Sequence, residues 1–379
     1  MNVIGVIAEY NPFHLGHLYQ INKVKEMYPD SIIIAIISTN FTQRGDISIL
    51  NKWDKCKICL ECGIDLVIEL PTPYAIQSAD IFAYGAINIL HNLNVDTLIF
   101  GTESDNVDEL IKVAKLQLNN PLYDKLLKTY LNNGDNNPTA INRTIKKLIN
   151  IKIDKPNDIL ALAYIKEIIR NNYSIKPISI KRTNEYHGKI INSNIINANL
   201  IREMIRSHKD ISMYVPKLTC NYIISDISID RAFNYLVYNI TNNRDNLDEY
   251  LTVDEGIQNR LLACIYKANS WDQLVMMIKT KRYTYNKISR MLLQILLDVK
   301  KTDNLDEFYV RILGFNQYGR SYLNKIKKEI NIPIYTSYKS NLSKIFDIEF
   351  KSTIIYGLIC NDLSLLDKEY KSKPIIINK

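Results

Sequence analysis

Four apolar runs, each about the length of a strand and separated by stretches of helical periodicity, constrain this chain more than any other feature. They are "VIGVIAEY", "SIIIAIIS", "IDLVIEL" and "VDTLIFGTES", all within the first 104 residues. Between them lie "LGHLYQINKVKEMY", "NKWDKCKICLECG" and "SADIFAYGAINILHNL". A strand with no polar face is covered on both sides, as in a parallel sheet layered between helices. The alternation predicts a doubly wound α/β fold, whose ligand crevice opens beyond the carboxyl ends of the strands.

After Asn106 the pattern is helical to about residue 172, apart from the polar loop "NNGDNNPTAINR". "KPISIKR" reads as one more strand, and the helix "NANLIREMIRSH" closes a first domain at residue 208. With 379 residues the chain exceeds one typical core, so residues 1–208 and 209–379 are expected as two domains. The second is expected to be mostly α-helical, from segments such as "WDQLVMMIKT" and "KISRMLLQILLDVKK".

The net charge of +8 sits unevenly, with +7 on residues 191–379 and +1 on residues 1–190. A basic second half points to an anionic partner, nucleic acid first. No apolar run is long enough for a spanning helix and no signal-type leader is visible, so the protein is expected to be cytoplasmic. Cys56, Cys59 and Cys62 share one face of the helix that Asn51 opens and Gly63 closes. A metal site needs about four ligands and the other cysteines are remote, so these three read as core residues and no protein-held metal is expected.

The loop "EYNPFHLGH" carries the chemistry. His14, at the mouth of the first helix, and His17, three residues on, share the space above free backbone N–H groups and the positive end of the helix dipole. Gly16 removes a Cβ from that space. Two imidazoles able to donate hydrogen bonds suit the charge that builds on phosphate oxygens during nucleotidyl transfer.

"YNPFHLGH" resembles the H-x-G-H signature of the nucleotidylyltransferase superfamily. More narrowly, "GVIAEYNPFHLGHLYQI", "NFTQRGDIS", "NKWDKCK", "GIDLVIELP", "QSADIFAYGAINIL", "FGTES", "PNDILALAYIKEI", "IKRTNEYH" and "RILGFNQYGRSYL" are similar, in order, to blocks of the bacterial tRNA(Met) cytidine acetate ligase family. The resemblance implies an enzyme that activates acetate with ATP as acetyl-adenylate. The acetyl group then passes to N4 of the wobble cytidine of elongator tRNA(Met).

The resemblance also implies an ATP site along the first loop: Ile7, Ala8, Glu9, Tyr10, Asn11, Pro12 and Phe13, then His14, Leu15, Gly16, His17, Leu18, Tyr19 and Gln20. Gly101, Asn157 and Arg182 complete it, with His14 and His17 as the catalytic pair. Asn157 also stands where a helix N-cap is expected. Magnesium is expected with ATP, held mostly by phosphates and water.

Two positions depart from the family pattern. Thr39 of "STNF" replaces a glycine and is expected to narrow its loop, and Asn197 and Asn199 replace hydroxyl residues before Arg202. Glu69, Gln43 and Arg44 are further pocket candidates without assigned roles. "KTKRYTYNKISR" interleaves tyrosines with Lys279, Lys281, Arg282, Lys287 and Arg290, the composition of a tRNA contact, and Arg311 and Arg320 are expected on the same surface. Two alternatives stand beside the ligase: a small-molecule adenylyltransferase or an acetate-adenylating ligase with a protein acceptor, and, in another class, a non-catalytic RNA-binding protein.

Overall fold

The computed structural model describes residues 2–182, 195–340 and 342–378. The apolar runs form β1 (Val3–Ala8), β2 (Ile32–Ser38), β3 (Leu66–Leu70) and β4 (Thr97–Thr102), and "KPISIK" forms β5 (Lys176–Lys181). These five are mutually parallel, in the order β5-β4-β1-β2-β3. From β1 the chain steps outward to β2 and β3, then crosses to β4 on the other side. The switch point therefore lies between β1 and β4, where Ala8 and Thr102 end their strands.

Residue alternation along β2 explains why its sequence has no polar face. Ile33, Ala35 and Ile37 enter one core, and Ile32, Ile34 and Ile36 enter the other. The first core also takes Ile21 and Val24 from the Leu15–Met27 helix and Cys56 and Cys59 from the Lys52–Glu61 helix. The second takes Phe82 and Ile89 from the Ala79–Asn92 helix and Ile165 from the Pro156–Arg170 helix. Each fully buried isoleucine contributes about 1.5–3 kcal/mol.

Beyond residue 208 the chain is largely helical, as expected. The Phe233–Asn242, Ile257–Ile265, Trp271–Ile278 and Tyr285–Leu296 helices gather around buried Leu236, Leu261, Trp271 and Leu292, in a core continuous with that of the Leu15–Met27 helix. The chain then returns to the sheet. β6 (Val310–Asn316) pairs antiparallel with β3, and β7 (Ile334–Tyr335) and β8 (Ile375–Ile377) pair parallel with β6. The sheet thus crosses the boundary drawn at residue 208. "RILGFN" escapes a strand reading because Arg311 and Gly314 interrupt its apolar pattern. Gly314 is required by packing: a Cβ there would lie 2.6 Å from Cys56 Sγ and 2.7 Å from the Ile375 carbonyl.

Arg311 is 3% exposed and does not join the basic surface. It belongs to a buried ion cluster that fastens the returning segment to β3. Lys52 Nζ lies 2.9 Å from Glu69, 2.7 Å from Glu369 and 3.2 Å from Glu349, while Arg311 pairs with Glu369 and lies 3.8 Å from Glu69. Hydroxyls satisfy remaining lone pairs: Thr39 and Thr72 donate to Glu349, Thr353 to Glu369 and Tyr309 to Glu69. Burial pulls the Lys52 ammonium down, but the carboxylates of Glu369 and Glu69 outweigh it and carry it up to about 12. Glu69 is pushed upward, first by burial and then by Glu349.

Glu69 is therefore a structural carboxylate rather than a pocket residue. Thr39 likewise spends its hydroxyl on Glu349 and does not line the crevice, so the expected narrowing does not arise. Removing one partner from such a cluster leaves buried charge uncompensated. Lys52→Met is expected to lower unfolding free energy by about 3–5 kcal/mol in urea titrations, and an unchanged midpoint would contradict this role.

Candidate active site

At the carboxyl end of β1 the chain turns sharply, with Tyr10 at φ 45°. Asn11 pins the turn from both sides: its amide donates to the Ile47 carbonyl at 3.2 Å, and its oxygen accepts from Ile49 N at 2.9 Å. Beneath the turn, Lys55 Nζ donates to the carbonyls of Glu9 (2.8 Å), Ser38 (2.8 Å) and Thr39 (2.9 Å), tying the ends of β1 and β2 together. Burial brings its pKa down to about 7.

The Leu15–Met27 helix is capped by the two histidines. Gly16 N donates to His14 Nδ1 at 3.0 Å, and His14 N donates to His17 Nδ1 at 3.2 Å. The rings stack, with centroids 3.7 Å apart, and Tyr10 meets His17 edge-on at 4.8 Å. Because each Nδ1 accepts, the network places the proton of each neutral ring on Nε2. Burial, followed by the charges of Arg182 and Arg202, lowers the His14 pKa to about 3. His17 is also held low, by burial, His14 and Arg182.

Gly16 serves the imidazole directly: a Cβ there would lie 2.8 Å from His14 Cε1, so any side chain would push the ring out of place.

Facing this cradle are β4, β5 and two helix starts. Asn157 is the second residue of the Pro156–Arg170 helix, whose cap position holds Lys155, so it is not the N-cap; its amide reaches Glu103 at 2.5 Å. Asp158 accepts from Glu103 N and Ser104 N at 3.1 and 3.2 Å, locking the "FGTES" turn to the helix. Asn197 does cap the Ala198–Arg206 helix, accepting from Leu200 N at 2.9 Å. Arg202 donates to the Asn11 carbonyl at 2.6 Å and to Asn199, which also accepts from Arg44 at 3.0 Å. The two asparagines thus still organise this loop.

These parts enclose a crevice of about 520 Å³, within the range of small-molecule sites. Ile7, Ala8, Glu9, Tyr10, Asn11, His14, His17, Gln20, Gly101, Asn157 and Arg182 line it, with Gln43, Arg44 and Arg202. A small side pocket adds Gly16 and Tyr19. Pro12, Phe13, Leu15 and Leu18 fall outside both linings: Phe13 is core, Leu15 N donates to the Tyr214 carbonyl, and Leu18 packs on the core. The rest of the "IKRTNEYH" block, residues 183–187, lies outside the described residues.

Two features escaped the sequence reading. One wall of the crevice is apolar, formed by Phe82, Phe100, Ile159, Leu160 and Tyr164; such residues look like ordinary core in a helical pattern. The other is Asn286, at the start of the Tyr285–Leu296 helix, which brings the basic stretch to the crevice. Lys279, Lys281 and Arg282 are exposed there, Arg320 is exposed elsewhere, and Lys287 lies 3.9 Å from the Tyr283 ring centre. Arg290 instead donates to the Gln43 carbonyl at 2.9 Å and supports the crevice wall. Cys56 and Cys59 are fully buried in the core.

A neutral, donor-bearing histidine pair at the switch point of a 3-2-1-4-5 sheet defines a nucleotidyl transferase of the H-x-G-H class. A family model described as HIGH Nucleotidyl Transferase matches residues 1–372. The tRNA(Met) cytidine acetate ligase of Clostridium novyi is 34% identical over 401 residues, covering 100% of both chains. That of Clostridium perfringens is 37% identical over 402 residues, covering 99% of this chain and 100% of its own. The crystal structure of Thermotoga maritima TmcAL bound with alpha-thio ATP matches with a TM-score of 0.90 at 26% identity, covering 100% of each chain. The chain belongs to the tRNA(Met) cytidine acetate ligase family.

The protonation state of the cradle is open to a direct check. In ¹⁵N NMR, His14 and His17 are expected to keep the shifts of neutral Nε2–H imidazole from pH 8 down to pH 5; an imidazolium at pH 6 would contradict the geometry. Because both folded pKa values lie below the unfolded 6.5, their contribution to stability is present above pH 6.5 and is lost as pH falls.

Proposed function

We propose that this protein is an ATP-dependent ligase that converts acetate to acetyl-adenylate and acetylates N4 of the wobble cytidine of elongator tRNA(Met). The observation that carries the reading is the cradle of His14 and His17, two uncharged Nε2–H donors beside Arg182 and Arg202, in a chain matched end to end by ligases of that name. In the first step an acetate oxygen attacks the α-phosphorus of ATP and the bond to pyrophosphate breaks. The imidazole donors and guanidinium groups bind phosphate oxygens as negative charge builds there. They are fixed before the nucleotide arrives, so little reorganisation opposes the reaction.

Acetyl-adenylate then meets the cytidine amine. The amine attacks the acyl carbon, AMP leaves, and N4-acetylcytidine forms. Magnesium accompanying ATP would be held mostly by phosphates and water and would offset the charge of the phosphates. Exposed Lys279, Lys281 and Arg282 supply the charge that holds tRNA phosphates, with Tyr283 and Lys287 beside them. Arg290 contributes from behind, by fixing the wall at Gln43.

Incubation with ATP, labelled acetate and bulk tRNA, followed by digestion to nucleosides, is expected to place the label in N4-acetylcytidine. Pyrophosphate release with another acceptor and no label in RNA would favour the adenylyltransferase alternative, and no turnover at all the RNA-binding one. His14→Ala is expected to slow adenylate formation by about 10²–10³-fold. Lys281→Ala with Arg282→Ala should leave adenylate formation in place and weaken tRNA use, lowering the salt dependence of binding by about one to two units. The reverse pattern would overturn the assignment of the two surfaces.

A further inference from the structure

The second chemical step needs a group that takes a proton from the amine, and neither histidine is free to serve. Both have Nδ1 engaged by a backbone N–H and a proton already on Nε2. Lys55 spends its three donors on strand-end carbonyls. Arg44, Arg182 and Arg202 on the crevice wall are cations. Two carboxylates line the crevice, Glu9 and Asp46. Asp46 accepts from its neighbour Ile47 N at 2.8 Å and faces Arg206 at 3.8 Å.

Glu9 is placed differently. It follows β1 directly at the switch point, and Gln43 N donates to its Oε1 at 2.6 Å, which fixes the orientation of the carboxylate. Its Oε2 has no hydrogen-bond or ion-pair partner among the described residues. It shares the crevice with the cradle and with the apolar residues Phe82, Phe100, Ile159, Leu160 and Tyr164. Tyr164 is close enough to feel the carboxylate's charge.

An apolar, partly aromatic wall beside a lone carboxylate oxygen is suited to a pyrimidine ring with an exocyclic amine. The ring packs on the wall and the amine donates to the carboxylate, a standard pairing of Glu with cytosine N4.

We infer that Glu9 is the acceptor-site carboxylate: it binds the N4 amine of the target cytosine against the apolar wall and removes its proton during acetyl transfer. This rests on the ligase reading above. N4 attacks the acyl carbon of acetyl-adenylate and the C–N bond forms. The bond from the acyl carbon to the phosphate oxygen breaks and AMP leaves with its electron pair. The N4 proton passes to Glu9 Oε2 and then to solvent.

Glu9→Gln retains an Oε1 that accepts from Gln43 N and has the same volume, so it separates proton removal from positioning. With pre-formed acetyl-adenylate and tRNA in a single turnover, Glu9→Gln is expected to slow transfer by roughly 10²–10⁴-fold. ATP–pyrophosphate exchange with acetate should fall far less, so that acetyl-adenylate accumulates.

Transfer at the wild-type rate in Glu9→Gln would overturn the inference. So would an equal loss of exchange and transfer, which would assign the carboxylate to the nucleotide. Should wild-type protein itself form no N4-acetylcytidine, the ligase reading fails instead. Thermal denaturation of the variant, with an unchanged midpoint, confirms that each result concerns an intact fold.

Discussion

The clasp between Lys52 and the carboxylates of Glu69, Glu349 and Glu369 is the interaction on which the rest of the molecule depends. It joins the Lys52–Glu61 helix and β3 to residues nearly 300 positions later in the chain. Isolated charges at such depth would be prohibitively costly, so the cluster exists only when all its contributors have converged. Its hydroxyl partners Thr39 and Thr72 lie at the ends of β2 and β3, so the clasp also sets the loops that frame the crevice. One turn further along the same helix, Lys55 performs the same task with uncharged partners, binding carbonyls instead of carboxylates. A single short helix thus determines both where the distal segment docks and where β1 turns.

On that frame the histidine cradle becomes a rigid donor array. Charged imidazoles would attract phosphate more strongly from a distance, but burial next to Arg182 and Arg202 makes the charged form unfavourable. In the proposed reaction the arginines therefore provide the charge and the imidazoles provide direction. Gly16 keeps the two roles compatible, because any larger residue would displace the His14 ring.

Much of this was legible in the sequence. The unbroken apolar strands fixed a parallel sheet, the helix-mouth histidines marked its crevice, and Gly101, Asn157 and Arg182 do line that crevice. What stayed hidden depends on contacts distant in sequence. β6 was not recognisable because its polar Arg311 and its Gly314 make sense only against Glu369 and Cys56. Arg290 and Arg311 looked like surface cations until burial assigned them to a carbonyl and to a carboxylate pair. The apolar crevice wall was invisible for the opposite reason: residues that line a cavity and residues that fill a core have the same composition.

The Tyr285–Leu296 helix belongs to two surfaces at once. Ser289 donates to the Gly45 carbonyl at 2.6 Å, Arg290 holds the Gln43 carbonyl, and Asn286 forms part of the crevice wall, while the residues just before the helix carry the exposed cations. The crevice wall and the basic stretch therefore meet at the start of one stiff element. Whatever displaces the basic stretch must also displace the crevice wall, and the two cannot be adjusted independently.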